Sequence, residues 1–341
     1  MGENKRVVLV GCRGMSDAWL KAAGELPDLT VVGLVDIRRE AAERRAAEFG
    51  LSEALISTSL TEALDKTRPD GVFDCTIPEA HVAVTLEALA HGCHVFGEKP
   101  MADSMEHARQ MVSAAQQARK IYAVIQNRRY DARIRRLRNF IASGAIGRIT
   151  TVNCDFYLGP RFGGFRDEMA HPLVLDMAIH TFDAARYITG ADPVGVLCRE
   201  WNPPGSWYKG DASAVAIFDM TDDIVYTYRG SWCTNGLMTT WESNWFIVGE
   251  HGGVSWDGAD RFEAVAVREV KGFMPERVPV EVPPFDAGDK VGGHSGLIRD
   301  FLRAMQTGVA PETVCTDNIK SLAMVFGAIE AAERRAWYSI P

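Results

Sequence analysis

Hydrophobic positions near the start of the chain come in short unbroken runs rather than alternating ones. Val7-Val8-Leu9-Val10 is followed by a glycine turn from Gly11 to Ser16, and comparable runs lie at Leu29–Val35, Leu55-Ile56, Val72–Thr76, His94–Phe96 and Ile121–Ile125. Uninterrupted apolar runs of this length suit strands buried on both faces. The stretches between them read as helices. One follows the glycine turn and stops near Gly24 and Pro27. A second, Arg39–Phe49, is rich in Ala, Glu and Arg and is closed by Gly50. A short one spans Thr61–Lys66, and Pro78–Ala90 ends at Gly92. Asp103 with Glu106 three residues on fits a capping box that opens a helix to about Ala118. Strand–helix alternation at this spacing predicts βαβ units with right-handed crossovers, hence a doubly wound parallel sheet covered on both faces. We expect residues 1–125 to form this domain.

The pattern changes after Gln126. A helix over Asp131–Ala142 is followed by longer strand candidates at Arg148–Tyr157, Val194–Glu200, Ser213–Met220, Ile224–Trp232, Ser243–Val248 and Phe262–Val270. One helix, Leu173–Ile188, interrupts them early, and helices near Ser295–Gln306 and Asp317–Arg335 close the chain. Few helices separate these strands, so residues 126–341 predict an α/β domain built on a large, open, mainly antiparallel sheet. An uncovered sheet face favours burial against another copy, so a homodimer or homotetramer is expected.

Composition narrows the function classes. The 341 residues are 47% hydrophobic and 24% charged, as in ordinary globular proteins, and carry 37 Lys+Arg against 45 Asp+Glu for a net charge of −8. That balance argues against nucleic acid as a partner. Most of the basic cluster Arg128, Arg129, Arg133, Arg135, Arg136 and Arg138 reads instead as the solvated face of a helix seated by Ile134, Leu137 and Ile141, with bordering the cofactor or substrate the alternative for Arg128 and Arg129, just after the sixth strand. No apolar run approaches the roughly 20 residues that a bilayer span needs, and the N-terminus lacks a signal-peptide pattern. The seven cysteines show no metal or disulfide spacing, so no metal site is expected, and reduced thiols in a cytoplasmic protein are.

Candidate chemistry starts at the first turn. Gly11, Arg13, Gly14, Met15 and Ser16 lie between the first strand and the first helix, where backbone N–H groups and the helix dipole can hold a pyrophosphate. Against the pattern G-x-G-x-x-G/A, Arg13 replaces the second glycine and Ser16 the third. Asp36 ends the second strand 20 residues beyond Ser16, where an acidic side chain accepts hydrogen bonds from a ribose diol and repels a 2′-phosphate; it argues for NAD. Arg13 and Arg38, beside Ile37, keep NADP open. Lys99, in Gly97-Glu98-Lys99-Pro100, follows the fifth strand and faces the ligand crevice at the strands' carboxyl ends. Asp176, His180 and Asp183 fall at i, i+4 and i+7 and share one face if the segment is a regular helix, an arrangement suited to a general base. His171 and His294 are weaker pocket candidates. Six of the eight tryptophans lie between Trp201 and Trp256; most suit sheet core and subunit interface, while Trp207-Tyr208-Lys209 is a candidate wall around a sugar ring.

Taken together, the glycine turn, Thr76-Ile77-Pro78-Glu79-Ala80-His81, Glu98-Lys99-Pro100, Gln126-Asn127-Arg128-Arg129-Tyr130, Asp176-x-x-x-His180, and Gly293-His294 with Asp317-Asn318 resemble the glucose–fructose oxidoreductase / inositol dehydrogenase (Gfo/Idh/MocA) family across nearly the whole chain. The combination of E-K-P with a distant D-x-x-x-H is the most specific part. The resemblance implies a Rossmann domain followed by an open-faced α/β domain. It also implies a lysine, an aspartate and a histidine around the substrate, here Lys99, Asp176 and His180. Thr76, Pro78, His81, Glu98 and Asn127 join the expected NAD contacts, and Arg129, Tyr157 and Trp207 the expected substrate contacts. Arg13, and Ile77 where the family often has proline, depart from the pattern. The expected activity is hydride transfer between a secondary alcohol of a sugar or cyclitol and the nicotinamide. Alternatives are an NAD-dependent glycosidase acting by oxidation and elimination, and a non-catalytic NAD-binding regulatory protein. The acidic net charge agrees with a neutral polyol substrate.

Overall fold

The first apolar run becomes β1 (Lys5–Val10), the centre of a six-stranded parallel sheet. The computed structural model describes residues 3–270, 273–284 and 290–341. Helix α1 (Ser16–Gly24), β2 (Leu29–Val35), α2 (Arg39–Glu48), β3 (Leu55–Ser57), α3 (Leu60–Thr67), β4 (Gly71–Asp74), α4 (Pro78–Ala90), β5 (His94–Gly97), α5 (Met105–Ala118) and β6 (Tyr122–Val124) follow in turn. The strand order is β3-β2-β1-β4-β5-β6, so the direction of winding reverses between β1 and β4. In such sheets the ligand crevice opens outside the carboxyl ends of the strands at that reversal.

Helix α5 starts one residue later than its sequence suggested. Ser104, not Asp103, is the cap and accepts from the His107 N–H at 3.1 Å, while the Asp103 carboxylate pairs with the His107 ring.

The chain divides into two compact units, each discontinuous in sequence: residues 1–130 with 287–319, and residues 131–286 with 320–341. A single division after residue 125 therefore omits the late return that contributes α9 (His294–Thr307) to the first unit. That return is driven by core formation. Phe301 of α9 stacks on Phe96 with ring centroids 4.2 Å apart, and Trp19, fully buried, lies 4.9 Å from Phe73 and 6.1 Å from Phe301. A buried aromatic side chain of this kind contributes about 1.5–3 kcal/mol from its area alone.

At the start of β5, His94 accepts a hydrogen bond from the Ile121 N–H at 3.0 Å through Nδ1, which requires a neutral ring. Burial, reinforced by Lys120, pushes its pKa down to about 4. The unfolded chain binds this proton near pH 6.5. Stability is therefore expected to fall as pH drops from 6.5 towards 4, because the unfolded state takes up a proton that the folded state refuses. Urea titrations across that range test this; a His94→Gln chain with an undiminished slope would locate the effect elsewhere.

The second unit opens with α6 (Ala132–Ala142), capped by Asp131, and builds a sheet from β7 (Ile149–Tyr157), β8 (Pro193–Trp201), β9 (Ser213–Met220), β10 (Val225–Ser231), β11 (Asn244–Gly249), β12 (Gly252–Trp256), β13 (Phe262–Glu269), β14 (Glu276–Pro279) and β15 (Tyr338–Ser339). Its order is β14-β13-β12-β11-β7-β10-β9-β8-β15, antiparallel throughout except for the β7–β10 pair. Between β7 and β8 lie a one-turn helix α7 (Phe165–Glu168), a π-helical segment (Pro172–Ala178) and α8 (Ile179–Thr189). Phe182 of α8 packs edge-on against Phe218, Tyr226 and Tyr228, sealing one face of the sheet. On the opposite face Leu197, Ile217, Phe246 and Val265 are exposed. Helix α10 (Cys315–Arg334) precedes β15.

The arginine cluster is not a solvated face. Arg128, Arg129 and Arg135 are buried; Arg135 and Arg138 lie over the Tyr187 ring, and Arg136 over Phe262 at 4.4 Å. Aromatic rings hold Arg135, Arg136 and Arg138 through the ring quadrupole. All seven cysteines are reduced and buried. Among the described residues no helix is long and apolar enough to cross a membrane, and no cluster of His, Cys, Asp and Glu has the makings of a metal site.

Candidate functional site

In the first unit the chain turns at Gly11 with φ +87°, and a Cβ there would lie 2.7 Å from the Cys75 carbonyl and 2.8 Å from the Thr76 nitrogen. Only glycine lets the two loops approach this closely. Gly14 also has positive φ, +51°, with open space where a Cβ would stand, whereas Arg13 is exposed and is not among the residues with positive φ. The arginine in place of the fingerprint's second glycine therefore costs no backbone strain. No side chain caps α1; the Ser16 and Ala18 N–H groups bond the Arg13 and Met15 carbonyls at 3.1 and 3.0 Å, and the positive end of the helix dipole faces the turn, where it favours an anion. Ser16 is fully buried and accepts from Arg45 Nε at 3.0 Å. Met15 is exposed at the rim.

Asp36 is buried beside this turn. One carboxylate oxygen accepts from the Cys12 N–H and the other from the Arg38 N–H, both at 2.9 Å. The carboxylate thus ties the end of β2 to the glycine turn, a second task beyond the ribose contact expected of it. Ile37 and Arg38 are exposed next to it.

At the end of β4, Asp74 accepts from the Thr76 N–H at 3.0 Å and the Thr76 hydroxyl at 2.5 Å, and pairs with His81 Nδ1 at 2.9 Å. Pro78 begins α4, where its missing N–H costs nothing, and places His81 one turn along. Burial favours a neutral His81, but the charge and hydrogen bond of Asp74, with Glu98 behind them, outweigh it and raise its pKa. Proline, threonine and histidine of this stretch are thus organised around a buried aspartate that sequence reasoning passed over. A carboxylate inside the apolar run Val72-Phe73-Asp74-Cys75 was the available signal.

Glu98 is buried at the end of β5, where it accepts from the Trp19 indole at 2.7 Å and the Lys99 N–H at 3.3 Å; the Lys99–Pro100 peptide is cis. Asn127 lies 3.4 Å from His294 Nδ1 at the start of α9. Burial lowers the pKa of His294, with Glu98 opposing and Lys99 reinforcing that shift. Lys99, Glu98, Asn127 and His294 are thus gathered in the first unit near the carboxyl ends of β5 and β6. Arg129 has another occupation from the substrate contact expected of it. Its buried guanidinium donates to the Glu312 carbonyl and pairs with Asp317, each at 2.8 Å, anchoring the returning segment.

In the second unit Asp176 belongs to the π-helical segment and His180 to the first turn of α8. A π turn holds an extra residue, so the regular-helix spacing that put Asp176, His180 and Asp183 on one face does not apply. Asp183 is buried and accepts from the Ser321 hydroxyl at 2.7 Å, a packing role. Asp176, also buried, accepts from Arg166 Nε at 2.7 Å, a partner no sequence pattern announced. Tyr208 is buried, donates to the Pro160 carbonyl at 3.3 Å, and lies in the field of Asp167, Asp176 and Arg166; burial pushes its pKa to about 12. Trp207, half-buried, meets the Tyr208 ring at 5.6 Å. Tyr157 departs from expectation. Strand alternation turns Phe156 towards Trp232 and sends Tyr157 to the open face, near Asp155 and Arg229, away from the face that α8 covers. His171 pairs with buried Glu200 at 2.9 Å, which raises the histidine's pKa.

Both halves of the chain match family models: residues 5–126 that of an oxidoreductase family with an NAD-binding Rossmann fold, and residues 134–255 the GFO/IDH/MocA C-terminal domain. The chain is 29% identical over 350 residues to the uncharacterized protein y4oX of Sinorhizobium fredii, covering 96% of this chain and 93% of that one. It is 32% identical over 190 residues to a 1,5-anhydro-D-fructose reductase of Ensifer adhaerens, covering 54% and 56%. A crystal structure of an Agrobacterium radiobacter oxidoreductase, determined with NAD+, L-tartaric acid and magnesium, superposes with a TM-score of 0.86 at 21% identity over 99% of this chain and 98% of that one. With a sheet ordered 3-2-1-4-5-6, a glycine turn at an uncapped helix and matches across both units, the chain belongs to the GFO/IDH/MocA oxidoreductase family, and its first unit is an NAD-binding Rossmann domain.

Proposed function

We propose that this chain is an NAD-dependent dehydrogenase or reductase that interconverts a secondary alcohol of a sugar or cyclitol with the corresponding ketone. The observation that carries the reading is Lys99, set with Glu98, Asn127 and His294 at the carboxyl ends of the strands of an NAD-binding sheet. The turn residues fit the cofactor: Gly11 lets the turn lie against the Cys75–Thr76 backbone, Gly14 leaves open space beside it, the dipole of α1 would favour the pyrophosphate, and Asp36 would accept from the ribose. Bound NAD supplies the hydride chemistry. His180 takes the hydroxyl proton on oxidation, and Arg166 holds Asp176 in place. Lys99 hydrogen-bonds the reacting oxygen and stabilises its developing negative charge. The relative from Ensifer adhaerens, a sugar reductase by name, supports the substrate class. A panel of sugars, sugar acids and inositols followed by NADH absorbance tests the reading; release of an aglycone from glycosides without net NADH would replace it with the glycosidase alternative.

The preference for NAD rests on Asp36. Asp36→Ala is expected to weaken NADH binding about tenfold or more and to narrow the gap to NADPH, because it removes both the ribose acceptor and the brace on the glycine turn. Fluorescence titration with both nucleotides measures this. Tighter NADPH binding by the unaltered chain would overturn the assignment.

A further inference from the structure

We propose that the substrate carries a carboxylate and that Arg161, stacked on Trp207, reads it. This rests on the proposed function and narrows its substrate class from sugars in general to sugar acids.

The argument begins with how the cations near Asp176 are used. Arg166 is committed to Asp176 and lies over the Phe165 ring at 4.7 Å. Lys209 is paired with Glu168. Arg161 differs from both. Its guanidinium lies 4.1 Å from the centroid of the Trp207 ring, the side chain is exposed, and among the described residues no carboxylate forms an ion pair with it.

Arg161 also neighbours the candidate chemistry. Phe162, the next residue, lies under the Arg166 guanidinium at 5.3 Å, and Arg166 pairs with Asp176 at 2.7 Å; Trp207 meets Tyr208, whose hydroxyl donates to the carbonyl of Pro160 just before Arg161. A ligand over Trp207 with a hydroxyl towards Asp176 would present its far end to Arg161.

The chemistry of that end follows from the geometry of the arginine. Stacking fixes the guanidinium plane and leaves its N–H edge open, and that edge matches a carboxylate through two parallel hydrogen bonds. One open guanidinium suits a monoanion. A phosphate dianion calls for more cationic or N–H partners than this group of residues offers, since Arg166 and Lys209 already have carboxylates. The chain's net charge of −8 works against an anionic ligand at long range, so attraction must be supplied locally, which is what an unspent arginine does.

The test uses the full chain with NAD and matched pairs that differ only at the terminal carbon: D-glucose with D-glucuronate, and D-galactose with D-galacturonate. In the unaltered protein kcat/KM for the acid is expected to exceed that for its neutral partner by about tenfold or more, and raising NaCl from roughly 50 to 500 mM should shrink the ratio. Arg161→Gln should collapse the ratio towards one, chiefly through KM, and Arg161→Lys should keep part of it. Equal or better use of the neutral sugars would overturn the proposal while leaving the proposed function intact. So would an unchanged ratio in Arg161→Gln, or preference for D-glucose 6-phosphate over D-glucuronate. Turnover of none of these compounds or of the wider panel would remove both.

Discussion

His180→Ala is expected to lower kcat by about 10²–10⁴-fold on whichever carbohydrate the unaltered chain oxidises, the range that a positioned general base contributes. His180 stands in the first turn of α8, half-exposed at its surface while the residues on either side of it are buried. Its neighbours Ile179 and Phe182 are fully buried and fix the helix in the core, so α8 is expected to stay seated without the imidazole. The loss should therefore appear in kcat with little change in melting temperature, and the variant's rate should no longer rise with pH through the range where an imidazole loses its proton. A variant that retains the full rate and pH profile would transfer the base to another group, of which His294 is the next to examine.

Trp19→Ala is expected to produce the largest loss of stability, about 3–5 kcal/mol, from the transfer and cavity terms for a buried aromatic. Trp19 has no exposed surface; it contacts Phe73 and Phe301 and donates its indole N–H to Glu98. Truncation leaves a void in the aromatic core and a buried carboxylate short of a donor, and both effects act in the same direction. Against the 5–15 kcal/mol that holds most proteins folded, this is a large fraction. Trp19→Phe separates the two contributions: it restores most of the volume but not the hydrogen bond, so it should recover more than half the loss. Chemical denaturation followed by circular dichroism measures both, and an alanine variant as stable as the unaltered chain would show that the core closes over the gap.

The first unit was largely legible in the sequence because its signals are local. Each strand is a short apolar run and each helix is bounded by glycine, proline or an acidic cap, so the order β–α–β could be read without knowing what packs on what. The strand candidates of the second unit were also legible, since period-two alternation shows in Ser213–Met220 and Phe262–Glu269. What escaped depends on partners remote in the chain. The π turn at Pro172–Ala178 has the same apolar pattern as an α-helix, so nothing in the spacing warned that Asp176 would sit beside Arg166. The face that Tyr157 occupies was not legible either, because it depends on a register that only its neighbours β10 and β11 supply. Arginines were read as solvated because the rings that hold them, Tyr187 and Phe262, come 49 or more residues later.

The aromatic core that α9 completes also sets a timetable for synthesis. A ribosome releases β1 to β6 and their helices long before Phe301 exists, and the chain between them builds most of a second unit first. The nascent Rossmann sheet must therefore wait with Trp19 and Phe96 incompletely covered, a state that invites chaperone capture. A gene shortened after residue 130 would make that waiting state permanent. A circular permutant that joins residues 290–319 directly ahead of β1 would bring the missing helix forward and let the nucleotide domain close while the rest is still being made.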